Sequence, residues 1–194
     1  MYPANGGHDR PCDGGTVTVE ALQRRRPETL GQLLEAYERE LQAVAYLILR
    51  DRPEAEDVVV ETLLTAFERG GAIRDERALR AWLLRVATNE ALGRRRKTAR
   101  LVRLDLTHDS AGPGDLASES ATRLVLLDGI DALPVQMRAA LVLRYYADLS
   151  VDEVAAALGK SPNTIKAQLQ TALDRLRVHL ADPAGASLGE PRRA

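Results

Sequence analysis

The segment Leu149–Leu176 constrains the fold most, because its pattern predicts two short helices joined by a tight turn. Ser150 and Glu153 have the spacing of a capping box at a helix N-terminus. Apolar residues then recur at helical spacing until Gly159, a residue type that commonly ends a helix in the left-handed conformation. Ser161–Pro162 predicts the N-cap and first turn of the next helix. The segment therefore predicts a helix-turn-helix, which makes DNA the first partner to consider.

The second helix of this motif has one apolar face and one polar face. We expect its buried face to consist of Ile165, Leu169, Leu173, Leu176 and Leu180. The outer face would carry side chains that can reach base edges or phosphates: Ser161, Asn163, Thr164, Lys166, Gln168 and Gln170. An ordinary helical hairpin with a solvated polar face would show the same pattern, so the rest of the chain must discriminate between the two.

Helical periodicity continues through most of the chain, and no β-alternation of useful length occurs. Three helices are predicted before the basic run at residues 94–97, and a Gly-, Ser- and acid-rich stretch separates them from the C-terminal helices. The expected fold class is all-α, with two small helical domains joined by a flexible acidic linker. We predict a mobile tail at 1–28, a helical domain at 29–103, the linker at 104–120, the helix-turn-helix domain at 121–182, and a tail at 183–194.

Charge is unevenly placed along a chain whose formal net charge is only −1. Between Glu35 and Glu61 there are eight acidic residues and three arginines. Between Arg74 and Arg103 there are ten arginines or lysines and three acidic residues. Adjacent blocks of opposite sign suggest one surface for a polyanion and another for a basic partner.

Composition argues against several other classes of protein. The single cysteine, Cys12, excludes an intrachain disulfide framework. The three histidines, His8, His108 and His179, show no metal-ligand spacing, and no nucleophile motif is present, so we expect no cofactor, no metal and no enzymatic activity. The chain shows neither a signal-peptide pattern nor an apolar run of membrane-spanning length, so we expect no membrane insertion and a cytoplasmic protein.

Two segments of the first half, Ala55–Thr62 and Leu79–Asn89, resemble conserved region two of the extracytoplasmic-function sigma factors. Leu133–Tyr146 and the helix-turn-helix after it resemble region four of that family. The resemblance covers roughly residues 29–180 and implies a dissociable subunit that binds core bacterial RNA polymerase. Region two would read the minus-ten promoter element and region four the minus-thirty-five element. An anti-sigma protein would be a further partner.

The same resemblance assigns roles to individual residues. Polymerase would be bound by acidic residues of the second predicted helix: Glu54, Glu56, Asp57 and Glu61. DNA on the minus-ten side would be held by Arg80, Arg85, Asn89, Arg94, Arg95, Arg96 and Lys97. The outer face of the last helix would read the minus-thirty-five element. The loop from about Gly70 to Ala78 would hold a base flipped out of the non-template strand, while Trp82 is interpreted as a core residue.

The sequence departs from the family pattern at several positions. Val60 stands where the family often has glutamine, and leucines occupy positions that are often aromatic, namely Leu63, Leu79 and Leu84. Fewer aromatics favour one alternative, a sigma-derived regulator that binds polymerase or DNA without efficient promoter opening. A second alternative, a one-component regulator that uses only the helix-turn-helix, leaves the basic third helix unexplained.

Overall fold

The computed structural model describes residues 19–24, 26–73, 75–102 and 121–181. Its regular elements there are all helical, which confirms the all-α fold class. The predicted linker at 104–120, the C-terminal tail and most of the N-terminal tail lie outside the described residues. The helices are α1 (Val19–Gln23), α2 (Pro27–Leu49), α3 (Arg52–Arg69), α4 (Glu76–Val102), α5 (Ala121–Asp131), α6 (Val135–Leu141), α7 (Val151–Leu158) and α8 (Pro162–Ala181).

Helices α2, α3 and α4 form a three-helix unit whose boundaries follow from local chemistry. Helix α2 ends at Arg50, which adopts a left-handed conformation with φ 57°. Asp51 then caps α3 by accepting a hydrogen bond from the Glu54 backbone N–H at 2.9 Å. Gly70 follows α3 directly and opens a short 3₁₀ turn, Gly70–Ala72. Asp51 and Gly70, residue types that often lie at helix starts and ends, therefore bound α3.

One part of the predicted tail is structured. Residues Val19–Gln23 form α1, whose Leu22 is 1% exposed and packs against Gly70. The tail prediction for these residues was wrong because the partner that buries Leu22 lies nearly fifty positions further along the chain. The brief apolar pattern around Val19 and Leu22 was the available signal.

The second unit contains the predicted helix-turn-helix. Both capping-box bonds are made between Ser150 and Glu153, at 3.2 Å and 2.7 Å, and Gly159 ends α7 with φ 62°. Helix α6 continues into a π-helical turn, Val142–Tyr146. The predicted buried face of α8 needs one change: Leu180 is 44% exposed, and Ala172 is buried instead. Leu176 is the last buried residue of α8, and Leu180 lies one turn beyond it, near the end of the helix.

The two units pack against each other through the faces of α2, α4, α6 and α7. Arg138 of α6 is only 3% exposed and donates to the Ile48 carbonyl at the end of α2 at 3.0 Å. Its guanidinium also donates to the carbonyls of Asp131 and Leu133 and pairs with the Asp131 carboxylate. A cation suits this position because the C-terminal end of a helix carries partial negative charge.

Candidate functional site

The four predicted docking acids lie on α3, but they are not electrostatically equivalent. Glu54 and Asp57 accept hydrogen bonds from Arg94 Nη1 at 2.7 Å and 3.1 Å. Glu56 is exposed and pairs with Arg52 one turn earlier, with an Nε to Oε1 distance of 3.3 Å. Glu61 is exposed and makes no ion pair within the described part of the chain. Glu61 is thus the acid of this group most available to a partner.

Exposed apolar side chains accompany the acids on α3. Val60 is 56% exposed and Leu64 is 43% exposed. Residues 57, 60, 61 and 64 are spaced at three and four, so they share one outward face of the helix. This mixed face, the docking face (residues 57, 60, 61 and 64), offers both charge and apolar area to a partner.

Arg94 joins the acidic helix to the basic one. Its guanidinium contacts Glu54, Asp57 and, one turn earlier on α4, Glu90, and its side chain is 20% exposed. The hydrogen bond to Glu54 is the main cause that raises the pKa of Arg94 above its ordinary value, against a smaller opposing effect of burial. Three carboxylates around one guanidinium leave little positive charge at this position for DNA.

Arg80 is also engaged by other groups of the protein. It forms a two-pronged ion pair with Glu40 of α2, in which the Nε to Oε2 distance is 3.0 Å. Its Nη2 donates to the Ala147 carbonyl of the second unit at 2.7 Å. In this arrangement Arg80 is an interdomain contact, and its charge is paired with Glu40 although its side chain is 39% exposed.

The remaining residues predicted for the minus-ten side lie on the surface of α4. Arg85, Asn89, Arg96 and Lys97 are exposed, and Arg95 is half-buried. Within the described residues none of the four cations in this group makes an ion pair. The spacing of residues 85, 89 and 96 places them along one stripe of α4. We refer to Arg85, Asn89, Arg95, Arg96 and Lys97 together as the basic stripe; Arg95 and Lys97 flank the line of the other three on either side, and Lys97 lies beside Glu54 and Glu90.

Helix α8 presents most of its predicted face to solvent. Asn163, Thr164, Lys166 and Gln170 are exposed. Ser161 caps the helix by accepting from the Thr164 backbone N–H at 3.1 Å. Because this cap orders the first turn of α8, the exposed side chains just after it are held on a fixed scaffold.

Two residues of this face differ from the prediction: Gln168 is less exposed than expected, and Gln170 is hydrogen-bonded within the helix. Gln168 is half-buried, and its Oε1 is shielded from solvent without a hydrogen-bond partner, so it lies at the edge of the outer face rather than on it. Gln170 donates to both carboxylate oxygens of Asp174 at 3.2 Å. Asp174 pairs in turn with Arg177 at 2.6 Å, so a chain of polar contacts fixes this part of the helix.

Several residues that shape the site were missed by sequence reasoning. Glu90 could have been found, since it stands four residues before Arg94 on the same helix. Glu40 and Arg138 could not, because each pairs with a group at least forty residues away in the chain. Leu79 and Leu84, which the family often replaces with aromatics, are buried core residues, and Trp82 packs against the same core while half-buried.

The described ranges also bear on metal binding and on membrane insertion. There, no group of three or more histidine, cysteine or acidic residues is placed to hold a metal ion. None of the helices built from those residues has the length and apolar content needed to cross a membrane.

Comparison with known proteins matches both units. Residues 33–101 match the sigma-70 region 2 family, and residues 123–176 match sigma-70 region 4. The chain is 33% identical over 135 residues to the RNA polymerase sigma-E factor of Streptomyces avermitilis, covering 69% of this chain and 74% of that protein. It is 34% identical over 137 residues to the sigma factor SigL of Mycobacterium tuberculosis, covering 68% and 77%.

Solved structures agree with the sequence comparisons. The sigma factor RpoE of Bartonella quintana, solved in complex with the anti-sigma factor NepR, superposes with a TM-score of 0.68 at 25% identity, covering 79% of this chain and 98% of that one. CnrH, solved with the cytosolic domain of CnrY, shares the fold with a TM-score of 0.63 at 22% identity, covering 89% and 99%.

Two helical units with these motifs, one of them a helix-turn-helix, define a sigma-70-type transcription initiation factor of regions 2 and 4. This chain belongs to the extracytoplasmic-function sigma factors of bacterial RNA polymerase. The family assignment made from the sequence motifs is therefore confirmed. Sigma factors as a family are non-enzymatic initiation factors.

Proposed function

We propose that this sigma factor binds core RNA polymerase through α3 and holds promoter DNA with α4 and α8. The observation that carries the proposal is the segregation of charge in the first unit. The docking face on α3 is acidic with exposed apolar residues, whereas the cations of the basic stripe on the neighbouring α4 make no ion pair within the described residues. Opposite signs on adjacent helices suit a basic protein partner on one side and a polyanion on the other.

On the minus-ten side, Arg95, Arg96 and Lys97 would contact phosphates, because exposed cations bind the backbone by releasing condensed counterions. Asn89 has both a donor and an acceptor and lies on the same stripe, so it would reach base edges. The 3₁₀ turn and the residues after it, up to about Ala78, would hold the flipped base.

On the minus-thirty-five side, Asn163, Thr164 and Lys166 follow the capped start of α8. The N-terminal residues of a recognition helix are those that enter the major groove. Lys166 would bind a phosphate, while the amide of Asn163 can read a base edge. Ser161 would act mainly by fixing the first turn of the helix.

Binding both promoter elements requires the two units to separate. The elements lie about 25 base pairs apart, which at about 3.4 Å per base pair is about 85 Å along B-DNA. In this structure α7 packs directly against α4 on one side and against α8 on the other. The two DNA-reading helices, α4 and α8, are therefore held in one body. On promoter DNA the Arg80 bond to Ala147 and the Arg138 bond to Ile48 would break, while the ion pair of Arg80 with Glu40, which lies within the first unit, would remain.

A second candidate, a sigma-derived regulator without efficient promoter opening, rested on leucine at positions that are often aromatic. Leu63, Leu79 and Leu84 are at most 3% exposed. An aromatic ring at those positions would lie in the core and would offer DNA no stacking surface in this arrangement. The leucines therefore give little support to the regulator.

Further parts of the proposal follow from relatives. RpoE and CnrH are each solved with a partner protein, NepR and CnrY, which supports an anti-sigma partner for this chain as well. We also infer that the protein acts in the cytoplasm, where core polymerase is found, and that it catalyses no reaction itself.

The proposal is tested by transcription in vitro from fragmented genomic DNA with sigma-free core polymerase, mapping the 5′ ends of transcripts. Discrete starts that depend on this protein and share two spaced upstream motifs are expected. A stable complex with core that yields no new starts would instead establish the sigma-derived regulator.

Charge-reversal variants then separate the two surfaces. Glu61→Arg should weaken co-elution with core polymerase, whereas Asp128→Arg, the same charge change at an exposed position of α5, should not. Arg95→Glu with Arg96→Glu should abolish promoter opening and leave the polymerase complex intact. Normal opening by that double variant would refute the DNA role of the basic stripe.

A further inference from the structure

The N-terminal helix α1 packs against the connection between α3 and α4. Leu22 is 1% exposed and Val19 is 7% exposed, so these two apolar side chains of the five-residue helix are buried. The amide of Gln23 donates from Nε2 to the Ile73 carbonyl at 3.2 Å. Helix α1 therefore contacts the connection at Gly70 and at Ile73.

Gly70 is the point of closest approach. A Cβ placed on Gly70 would lie 2.1 Å from Leu22 Cδ2, so only glycine allows α1 to sit this close. At the next position, a Cβ on Gly71 would lie 3.8 Å from the Gln23 Cα, which is an ordinary contact distance. The fit is therefore specific to Leu22 on Gly70.

The connection has little intrinsic preference for one shape. Two successive glycines at its start lose more backbone freedom on ordering than any other residue pair. Among its described residues, a backbone bond from the Ile73 N–H to the Gly70 carbonyl at 2.9 Å closes the 3₁₀ turn. Contacts from outside the connection add to its order, and α1 supplies a buried leucine and a hydrogen bond to Ile73.

We propose that α1 is a brace that preorganises this connection for capture of the flipped minus-ten base, with Leu22 and Gln23 as positioning residues. This inference rests on the proposed function of the connection. A loop held in its binding conformation before DNA arrives does not lose that freedom on binding, which favours base capture. Neither residue needs to touch DNA to have this effect.

Gln23→Ala is the first test, because Gln23 is exposed and its loss leaves the core intact. The matched control is Gln32→Ala, which removes an exposed glutamine from α2. The substrate is the promoter found by mapping transcript starts, with 2-aminopurine replacing bases of the non-template minus-ten strand one at a time. Fluorescence of 2-aminopurine rises when the base leaves the stack.

We expect Gln23→Ala to reduce base flipping and open-complex formation by about threefold to tenfold, which corresponds to the loss of one ordinary hydrogen bond. Binding to core polymerase should not change. Equal flipping by Gln23→Ala and Gln32→Ala would overturn the brace. Failure of the proposed function is distinguishable, since the wild-type protein would then give no open complex at all.

A double-mutant cycle tests the Leu22 contact. Gly70→Ala should expel Leu22, and Leu22→Ala should leave a cavity, so each should reduce base flipping. In the double variant, the shortened side chain at position 22 leaves space for the methyl group added at position 70. Base flipping should therefore exceed that of Gly70→Ala alone. Additive losses across the cycle would contradict a direct Leu22–Gly70 brace. Retained polymerase binding and unchanged Trp82 fluorescence would show that each variant is folded.

Discussion

Arg138→Met tests how much stability depends on one buried guanidinium between the two units. The substitution removes the donors to three carbonyl oxygens, those of Ile48, Asp131 and Leu133. Methionine fills a similar volume, so the change is mainly in hydrogen bonding and charge. The Asp131 carboxylate is 47% exposed and regains water once its partner is lost.

The magnitude follows from what remains buried. A buried carbonyl without a donor costs about 1–3 kcal/mol. Against this, burial is the main cause that lowers the pKa of Arg138, so the guanidinium pays a desolvation cost that methionine avoids. We expect a net loss of about 2–4 kcal/mol in the free energy of unfolding, somewhat below the cost of breaking a fully buried ion pair.

Urea unfolding with two probes measures this loss. Far-UV circular dichroism follows the helices of both units, and the fluorescence of Trp82, the only tryptophan, follows the first unit. Arg144→Met is the matched control, because Arg144 is 36% exposed and donates to a single carbonyl, that of Leu149. If Arg138→Met costs less than about 0.5 kcal/mol, or no more than the control, the argument from buried carbonyls is wrong.

Three further changes test local features of the fold by the same urea unfolding. Ser150→Ala removes the side-chain cap of α7 and should cost about 1 kcal/mol. Hydrogen bonds from Ser150 lower the pKa of Glu153, so the Glu153 carboxylate's contribution to the capping box is complete above the ordinary glutamate pKa of about 4.3 and is lost as the pH falls through the lower folded pKa. The bond from the Glu153 N–H to the Ser150 Oγ does not titrate, so wild type should remain more stable than Ser150→Ala in acid. Gly129→Ala would place a Cβ 2.8 Å from His179 Cδ2 and should cost about 1–3 kcal/mol, whereas Gly31→Ala, with nothing within 4 Å, should stabilise α2 by up to about 1 kcal/mol.

Local rules were enough to predict the helices. The caps at Asp51 and Ser150 and the left-handed Gly159 depend on residues within four positions of one another, so the sequence displays them directly. Packing between distant segments could not be predicted from such local rules. The burial of Leu22 on Gly70 and of Arg138 on the end of α2 depends on partners that no local spacing identifies.

The candidate site was predictable to a similar extent. Membership in the family and the location of acidic and basic helices followed from motifs and composition. Motifs and composition did not show which charges remain available to a partner, because that depends on ion pairs formed between helices. Arg80 and Arg94 belong to the basic block by sequence, yet Glu40 and Glu54 engage them in the fold.

This pairing changes how charge should be attributed to function. Asp57 stands on the docking face and also holds Arg94, so its substitution would alter the acidic surface and the basic helix at once. Glu61 has no such second role within the described residues, which makes it the cleaner probe of polymerase binding. On the DNA side the same reasoning leaves Arg85, Arg95, Arg96 and Lys97 as the cations of the basic stripe that can release counterions. Because salt dependence scales with the number of phosphates neutralised, the slope for this unit should reflect those four rather than the whole basic block.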